Sequence, residues 1–444
     1  MLNYDSYNLL KCIRKKIDER AKGEIRMLKV KPKVLIIWNI VLVSTLVIIS
    51  SVYRDTYLFT YWFILFLFAT WCVFNIRNRI VDTLRVFSVF YVVLFAFGPM
   101  ILYIEGYDYY REVGNFIIIS YLCFAIGYRF CGRGKIKHNQ YKIFRPANKP
   151  KAVLIIALIV FCVGMGAYSI YFVKNWHYIF TADLENGRVA AMTGNGLFLW
   201  LGSLVWLSVY MMYEQSFING RYKKVTYLMF AGSAIFSILL GFRSALVNPI
   251  LVMFFMKNKK KEIPMRKIMV LALVLFAFVG VYGAIRGGGG SSYDSLLLEF
   301  KVSSVNLNYI LNTFPSKAKY QMGATYLMEF QSLIDNNVVG VTMWLKNVLD
   351  LNFSGGGVTP TLIGEFYINW GIIGVLIGMT LSGALFRRID RAYRNPNNSI
   401  FLSCLILGYI RPIIRGGYAN SMINLLVYVI GYCGCQLVAK KIKV

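Results

Sequence analysis

Apolar residues recur along the chain in runs of about 17–25, separated by short polar connectors, and this length suits helices that cross a bilayer. The runs predict twelve transmembrane helices, at approximately 34–51, 57–76, 86–104, 114–130, 152–173, 196–214, 225–241, 245–256, 268–285, 360–386, 399–413 and 418–438. The segment 245–256 is short, so it is either re-entrant or continuous with the turn before it. Twelve crossings place both termini on one side of the membrane.

The longest interruption in this pattern is residues 286–359. Within it, 294–314 and 322–349 carry apolar residues at helical spacing, which predicts amphipathic helices that lie on the membrane surface or cap the bundle. The predicted organisation is a basic cytoplasmic segment (1–33), transmembrane helices 1–9 (34–285), a large outer loop (286–359) and transmembrane helices 10–12 (360–444). The first half has no comparable loop, and no internal repeat relates the halves.

The composition narrows the class of protein. Hydrophobic residues make up 57% of the chain and charged residues only 16%, which is too apolar for a soluble protein of 444 residues. The sequence therefore predicts an all-α polytopic membrane protein with one large periplasmic or extracellular loop.

The distribution of charge predicts the orientation. Of the 49 Lys and Arg residues, 37 fall in the connectors on the side of the termini, whereas the 20 acidic residues divide into 8 on that side and 12 on the other. This excess of positive charge places the termini in the cytoplasm. The net charge of +29 thus reflects topology and contact with anionic lipid, and it does not indicate nucleic-acid binding.

Four arginines lie at or inside predicted outer helix ends, where a charge is costly unless it faces a cavity or a partner. If their segment is helical, Arg411 and Arg415 lie on one face, and two convergent guanidiniums suit a diphosphate. Arg243 at an outward turn and Arg286 before four glycines (287–290), whose amides can form an anion-binding nest, are further phosphate candidates. The alternatives are snorkelling arginines and, for the glycines, a flexible hinge.

The outer end of the tenth predicted helix carries Glu365-Phe-Tyr367-Ile-Asn369-Trp-Gly371. A carboxylate so close to the hydrocarbon needs a cation or a role. Glu365 is a candidate general base for a sugar hydroxyl or, alternatively, an ion-pair partner that positions one of the arginines. Tyr367 and Asn369 are assigned to glycan binding.

The outer connector 174–195 holds His177 and Arg188, which are candidates for substrate contact, with a solvated surface histidine as the alternative. No H-E-x-x-H, D-x-D or Cys/His metal-ligand spacing occurs in the sequence. We therefore expect no protein-bound metal and no cofactor.

The motifs around these residues resemble those of the O-antigen polymerases, the Wzy-type oligosaccharide repeat-unit polymerases. The resemblance is carried by Gly241-Phe-Arg243-Ser-Ala-Leu246, Arg286-Gly287 and Gly364-Glu365-Phe-Tyr367-Ile-Asn369-Trp-Gly371-Ile-Ile-Gly374, with a large outer loop before a late helix. It implies a fold similar to the lipid-dependent helical (GT-C-like) glycosyltransferases. O-antigen ligases tend to carry a histidine in their large outer loop, and residues 286–358 contain none, which favours a polymerase.

The resemblance implies a glycosyltransferase of the bacterial cytoplasmic (inner) membrane. It would move a growing glycan from undecaprenyl diphosphate onto a new lipid-linked repeat unit, to make O-antigen or a related surface polysaccharide. The implied partners are the undecaprenyl-diphosphate-linked oligosaccharide, membrane lipid and a polysaccharide chain-length regulator. The alternatives are a flippase or exporter of the lipid-linked oligosaccharide, a ligase-like transferase, and a non-catalytic membrane scaffold.

Overall fold

The computed structural model describes residues 83–95, 98, 111–130, 146–179, 187, 190–191, 194–239, 243–264, 267–268, 270–271, 274–275, 277, 292–335, 338–353, 356–395 and 398–442. Every regular element within these ranges is a helix. The helices are α1 (Thr83–Phe95), α2 (Arg111–Phe130), α3 (Pro150–Ile179), α4 (Gly196–Asn219), α5 (Lys223–Leu239), α6 (Arg243–Lys260), α7 (Ser292–Thr313), α8 (Ala324–Ile334), α9 (Val341–Val348), α10 (Leu362–Arg394), α11 (Ile400–Gly408) and α12 (Ile410–Lys441).

Four of these helices, α3, α4, α10 and α12, are long and apolar enough to cross a membrane. The predicted all-helical membrane class is thereby confirmed for the described part of the chain, whereas the count of twelve spans stays a prediction. The predicted helices at 34–51 and 57–76, and most of 268–285, lie outside the described residues.

Several helix bounds differ from the predicted ones. Helix α3 continues to Ile179, and α6 has 18 residues where the sequence predicted a short span at 245–256. The single amphipathic helix predicted at 322–349 is two helices, α8 and α9. Asp335 ends α8 in an extended conformation, and the extended Gly340 precedes α9, so the helical hydrogen-bond ladder is interrupted between them.

Helices α2 and α10 pack backbone to backbone. A Cβ atom on Gly127 would overlap the carbonyl of Thr380, and one on Gly383 would overlap the carbonyl of Phe124. Small residues that allow this approach are typical of helix pairs in membranes, where van der Waals contact drives association. Helix α3 packs along α4 in the same bundle.

Helix α10 is interrupted at Trp370 and Gly371, where Gly371 has φ 61° and ψ −150°. A Cβ on Gly378 would lie 2.5 Å from the ring of Phe366, so the short arm 362–369 folds back along the start of the long arm. The sequence predicted one uninterrupted span at 360–386, because the apolar run continues through the break. Glycine permits the break, since a positive φ is costly for residues with a side chain.

Helix α11 and the first part of α12 form one arm of a hairpin, and the rest of α12 forms the other arm. The chain stays helical or nearly so from Ile400 to Gly416, and Gly417, with φ 78° and ψ −178°, ends this arm. The hydroxyls of Ser399 and Tyr432 lie 3.0 Å apart, which shows that the chain has reversed between them. The two last predicted helices, 399–413 and 418–438, correspond to these two arms.

A buried carboxylate ties the open end of the hairpin to α4. Glu214 is 0% exposed and accepts hydrogen bonds from Ser399 Oγ at 2.9 Å and from the backbone N–H groups of Ile400 and Phe401. The hydroxyl of Tyr432, on the other arm, also donates to it. The carboxylate therefore caps α11 and holds both arms together.

Candidate functional site

A cavity of about 560 Å³ lies at the other end of the bundle, around the turn of the hairpin. It is bounded by α3 at Tyr168, by the starts of α4 and α6, and by helices α8 and α9 of the predicted outer loop. Its polar and aromatic lining residues include Arg411, Arg415, Glu329, Asn248, Asn420, Asn424, Ser203, Thr342, Thr359, Tyr168, Trp200, Trp206, Tyr409 and Tyr428. Convergent polar groups between aromatic walls are typical of a ligand site.

The structure brings Arg411 and Arg415 to this cavity together. They lie one turn apart on the helical arm that ends at Gly416, so their side chains leave the same face. Both are half-buried, in a wall where the guanidinium charge is less screened than in open water. Such a pair can bind a phosphate or diphosphate through several charge-assisted hydrogen bonds.

Glu365 lies directly behind the turn that follows these arginines. It is 0% exposed, and its two oxygens accept hydrogen bonds from the N–H groups of Tyr418 at 2.6 Å and Ala419 at 2.8 Å. These amides begin the second arm of α12, where the helix dipole favours a negative charge. A Cβ on Gly417 would stand 2.7 Å from Glu365 Cδ, so the glycine provides both the turn and the room for the carboxylate.

The Glu365 carboxylate thus positions the hairpin turn by accepting hydrogen bonds from backbone N–H groups of the turn. It is not one of the residues that line the cavity, although Gly416, two residues before Tyr418, is. The sequence had suggested a general base or an ion-pair partner of an arginine. The observed hydrogen bonds are those of a helix cap, and neither proposed role is tested by them.

Asn369 and Tyr367 join the short arm of α10 to the outer loop. The side chain of Asn369, which is 0% exposed, accepts from Gly323 N at 2.8 Å and donates to Thr325 Oγ1 and to the carbonyl of Glu365. The Tyr367 hydroxyl donates to the carbonyl of Phe314 at 3.2 Å. Both side chains therefore dock the outer loop onto α10.

The sequence analysis missed Glu329, which lines the cavity from α8. Its Oε1 accepts a hydrogen bond from Val341 N at 2.8 Å and so caps α9. Burial raises the pKa of this carboxyl group, and the hydrogen bond from Val341 opposes that rise. Only its place in an outer amphipathic segment could have pointed to it, since no local motif brings position 329 next to positions 411 and 415.

Of the other predicted site residues, one lies outside this cavity, and three have side chains that fall outside the described part of the structure. His177 is exposed near the end of α3, with its ring 4.0 Å from that of Tyr178, and does not line the cavity. Arg188 and Arg286 lie outside the described residues. Arg243 begins α6, the helix that contributes Ala245, Asn248 and Pro249 to the cavity wall.

An apolar groove of about 650 Å³ runs along α10 on the far side of the hairpin turn. One face of the helix supplies Trp370, Ile373, Ile377 and Leu381, and Tyr418 borders the groove beside the turn. Gly416 lines the arginine cavity and Tyr418 lines the groove, so the two sites lie on either side of the turn at Gly417.

In the part of the chain that the structure describes, no group of three or more His, Cys, Asp or Glu side chains is placed to hold a metal ion. Among the described residues that line the cavity, the positively charged side chains are those of Arg411 and Arg415.

The comparisons with known proteins identify the family. Neither the curated proteins nor the solved structures give a match. The family model described as O-antigen polysaccharide polymerase Wzy matches residues 34–443, nearly the whole chain, including the cavity and both interrupted helices. The chain therefore belongs to the Wzy family of O-antigen polysaccharide polymerases, membrane proteins that polymerise lipid-linked oligosaccharide repeat units.

Proposed function

We propose that this protein polymerises undecaprenyl-diphosphate-linked repeat units at the cavity around Arg411 and Arg415. The observation that carries the proposal is the pair of guanidiniums in one wall of a cavity that is covered by the outer-loop helices. A lipid diphosphate has two charged groups close together, and guanidiniums one helical turn apart match that spacing. The polar and aromatic walls suit the sugars attached to it.

The proposed reaction is a glycosyl transfer. The bond between the anomeric carbon of the growing glycan and its diphosphate breaks, and a bond forms between that carbon and a hydroxyl of the incoming unit. The electron pair of the broken bond leaves with undecaprenyl diphosphate, whose charge Arg411 and Arg415 stabilise. The hydroxyl proton passes to a base. Because the arginines supply the stabilising charge, we propose a metal-independent transfer.

The groove along α10 suits the lipid part of such a substrate. Its lining is apolar, it borders the turn that carries the arginines, and its helix faces the bilayer with exposed Ile373, Ile377 and Leu381. A substrate with its diphosphate at the arginines would pass its lipid chain around Gly417 into this groove. Glu365, which caps the turn between the two sites, is assigned the role of a positioning residue.

The remaining assignments stay predictions. Arg243 and Arg286 are catalytic candidates that would stabilise the departing diphosphate. Arg188, His177, Tyr367 and Asn369 are candidates for binding the diphosphate-linked glycan. We place the cavity on the outer face of the bacterial inner membrane, with cytoplasmic termini, because the basic connectors lie at the opposite helix ends. A chain-length regulator is a proposed partner.

The first test is polymer length on gels from cells whose own gene is deleted. The cells are complemented with the wild type, Arg411→Ala, Arg415→Ala or the control Lys317→Ala, an exposed outer-loop cation away from the cavity. At equal membrane abundance, we expect the arginine variants to leave single repeat units and the control to make normal polymer. Truncating a buried charged hydrogen-bond partner typically costs several kcal/mol of binding.

Two outcomes would contradict the proposal. Normal polymer from both arginine variants would show that the cavity is not the site of transfer. Lipid-linked units held on the inner leaflet, with no surface glycan, would identify a flippase or exporter.

A further inference from the structure

Glu329 is in a position to take part in the reaction. It lies in the middle of α8, in the wall of the cavity that holds Arg411 and Arg415. Among the described residues that line this cavity, it is the one carboxylate. A glycosyl acceptor bound there would meet the arginines and this carboxylate in a single space.

The hydrogen bond that holds Glu329 in place leaves its carboxylate able to accept further hydrogen bonds. Its Oε1 accepts one hydrogen bond, from Val341 N at 2.8 Å. A carboxylate offers about four acceptor sites, so a hydroxyl can donate to Glu329 while the cap of α9 remains intact. Gly340 makes the space, because a Cβ there would lie 3.1 and 3.3 Å from the two oxygens.

Glu365 is arranged differently. Each of its oxygens accepts a backbone N–H, and its side chain lies outside the cavity lining. Glu365 therefore has no oxygen that is both free of a backbone amide and open to the cavity. Glu329 lines the cavity and accepts a single amide, so its carboxylate can also accept a hydrogen bond from a hydroxyl that is bound there.

We propose that Glu329 is the general base that accepts the proton of the attacking sugar hydroxyl. The hydroxyl oxygen forms its bond to the anomeric carbon as the proton moves to the free side of the Glu329 carboxylate. The carbon–oxygen bond to the diphosphate breaks, and its electron pair leaves with the diphosphate beside Arg411 and Arg415. The protonated Glu329 then returns its proton to water. This assignment depends on the proposed function.

The competing explanation is that Glu329 only caps α9. The substitution Glu329→Gln separates the two roles, because the amide keeps an oxygen for Val341 N but is not a base. Asp335→Asn, an exposed outer-loop carboxylate at the end of the same helix, is the matched control.

The experiment measures polymer formed per molecule of protein in membranes that lack the native enzyme. The substrate is the lipid-linked repeat unit, and Arg411→Ala is assayed in parallel. We expect Glu329→Gln to be slower by about 100-fold or more, since general bases contribute roughly 10²–10⁴ in rate. Asp335→Asn should match the wild type. Added formate, a small carboxylate, should partly restore Glu329→Ala.

The outcomes are distinguishable. Wild-type rates per molecule in Glu329→Gln would overturn the base role while leaving the arginine site intact. A slow Glu329→Gln together with a Glu329→Ala that formate does not restore would also overturn the base role, because the carboxylate would then act by positioning the substrate and not by accepting its proton. Normal polymerisation by Arg411→Ala would instead remove the proposed function itself.

Discussion

The hairpin of α11 and α12 has a buried carboxylate at each end, and the two do different things. Glu214, at the open end, accepts hydrogen bonds from both arms and ties them to α4. Glu365, at the turn, accepts two amides next to the arginine cavity. Both are 0% exposed and both cap a helix. Burial of a carboxylate therefore does not distinguish a residue that positions the site from one that holds the fold together.

Their neighbours distinguish them. Around Glu214, a serine and a tyrosine hydroxyl supplement two amides, and the residues that it holds are remote from the cavity. Around Glu365, helix α10 is interrupted at Gly371 and helix α12 at Gly417. Gly416, before the second interruption, lines the arginine cavity, and Tyr418, after it, lines the apolar groove. We expect Glu214 to control stability and Glu365 to control activity.

The largest effect should follow Glu214→Ala. It leaves two buried amides and two hydroxyls without their acceptor, and each unsatisfied buried group costs about 1–3 kcal/mol. We expect the protein to become scarce in membranes and to lose most of its thermal stability in detergent. The exposed Glu262→Ala is the control. Normal abundance of Glu214→Ala would remove the basis of the comparison.

Glu365→Gln should reduce activity more than it reduces abundance or stability. The amide oxygen can accept from one of Tyr418 N and Ala419 N, while its NH₂ group faces the other N–H and repels it. We expect the free energy of unfolding to fall by about 1–3 kcal/mol. The polymer formed per molecule should fall by more than this loss of folded protein accounts for. Glu214→Gln, measured alongside, should reduce abundance but preserve activity per molecule. Equal effects of the two variants on activity would mean that the turn has no special role.

Gly417→Ala tests the turn from the other side. Gly417, with φ 78° and ψ −178°, occupies a region that is essentially restricted to glycine and costs other residues about 1–3 kcal/mol, and the new Cβ would displace the Glu365 carboxylate. We expect shortened polymer at a moderately reduced melting temperature. Gly434→Ala in the same helix, with open space around its Cβ, is the matched control and should leave polymer length and melting temperature unchanged. Full-length polymer from Gly417→Ala would show that the position of Glu365 is not critical.

The smallest expected effect on stability is a pH-dependent difference in melting temperature between Glu329→Gln and the wild type. Its folded pKa is raised above the ordinary value of about 4.5, so its protonated form favours the fold at low pH and that contribution is lost as the pH rises through the folded pKa. Glu329→Gln imitates the protonated form. Its melting temperature relative to the wild type should therefore increase as the pH rises above the ordinary pKa of about 4.5. A difference that is constant with pH would mean that Glu329 titrates at its ordinary value.

The sequence predicted those parts of the fold that depend on local patterns. Apolar runs located α3, α4 and the arms of the last hairpin, and the i,i+4 spacing of Arg411 and Arg415 predicted that they share a face. The break in α10 escaped prediction because Trp370 and Gly371 lie in a run that is apolar from Phe366 to Met379 except for Asn369. A break of this kind depends on what packs against it, here Tyr320 beside Gly371.

The candidate site was predicted in part for a similar reason. Arginines near helix ends are visible in the sequence, because a charge in an apolar run needs an explanation. Glu329 belongs to an amphipathic outer segment, where a carboxylate is ordinary. Only the tertiary contact between α8 and α12 gives it a place beside Arg411 and Arg415.

The fastening of the outer loop to α10 has a consequence for how substrates arrive. The carbonyls of Ile368 and Asn369, freed by the break, accept hydrogen bonds from Gln321 N at 2.9 Å and Met322 N at 3.1 Å. The loop is thus attached near its middle to a membrane helix, so it cannot lift away as one flap without breaking these hydrogen bonds. For the proposed reaction, we therefore expect lipid-linked substrates to enter laterally from the bilayer.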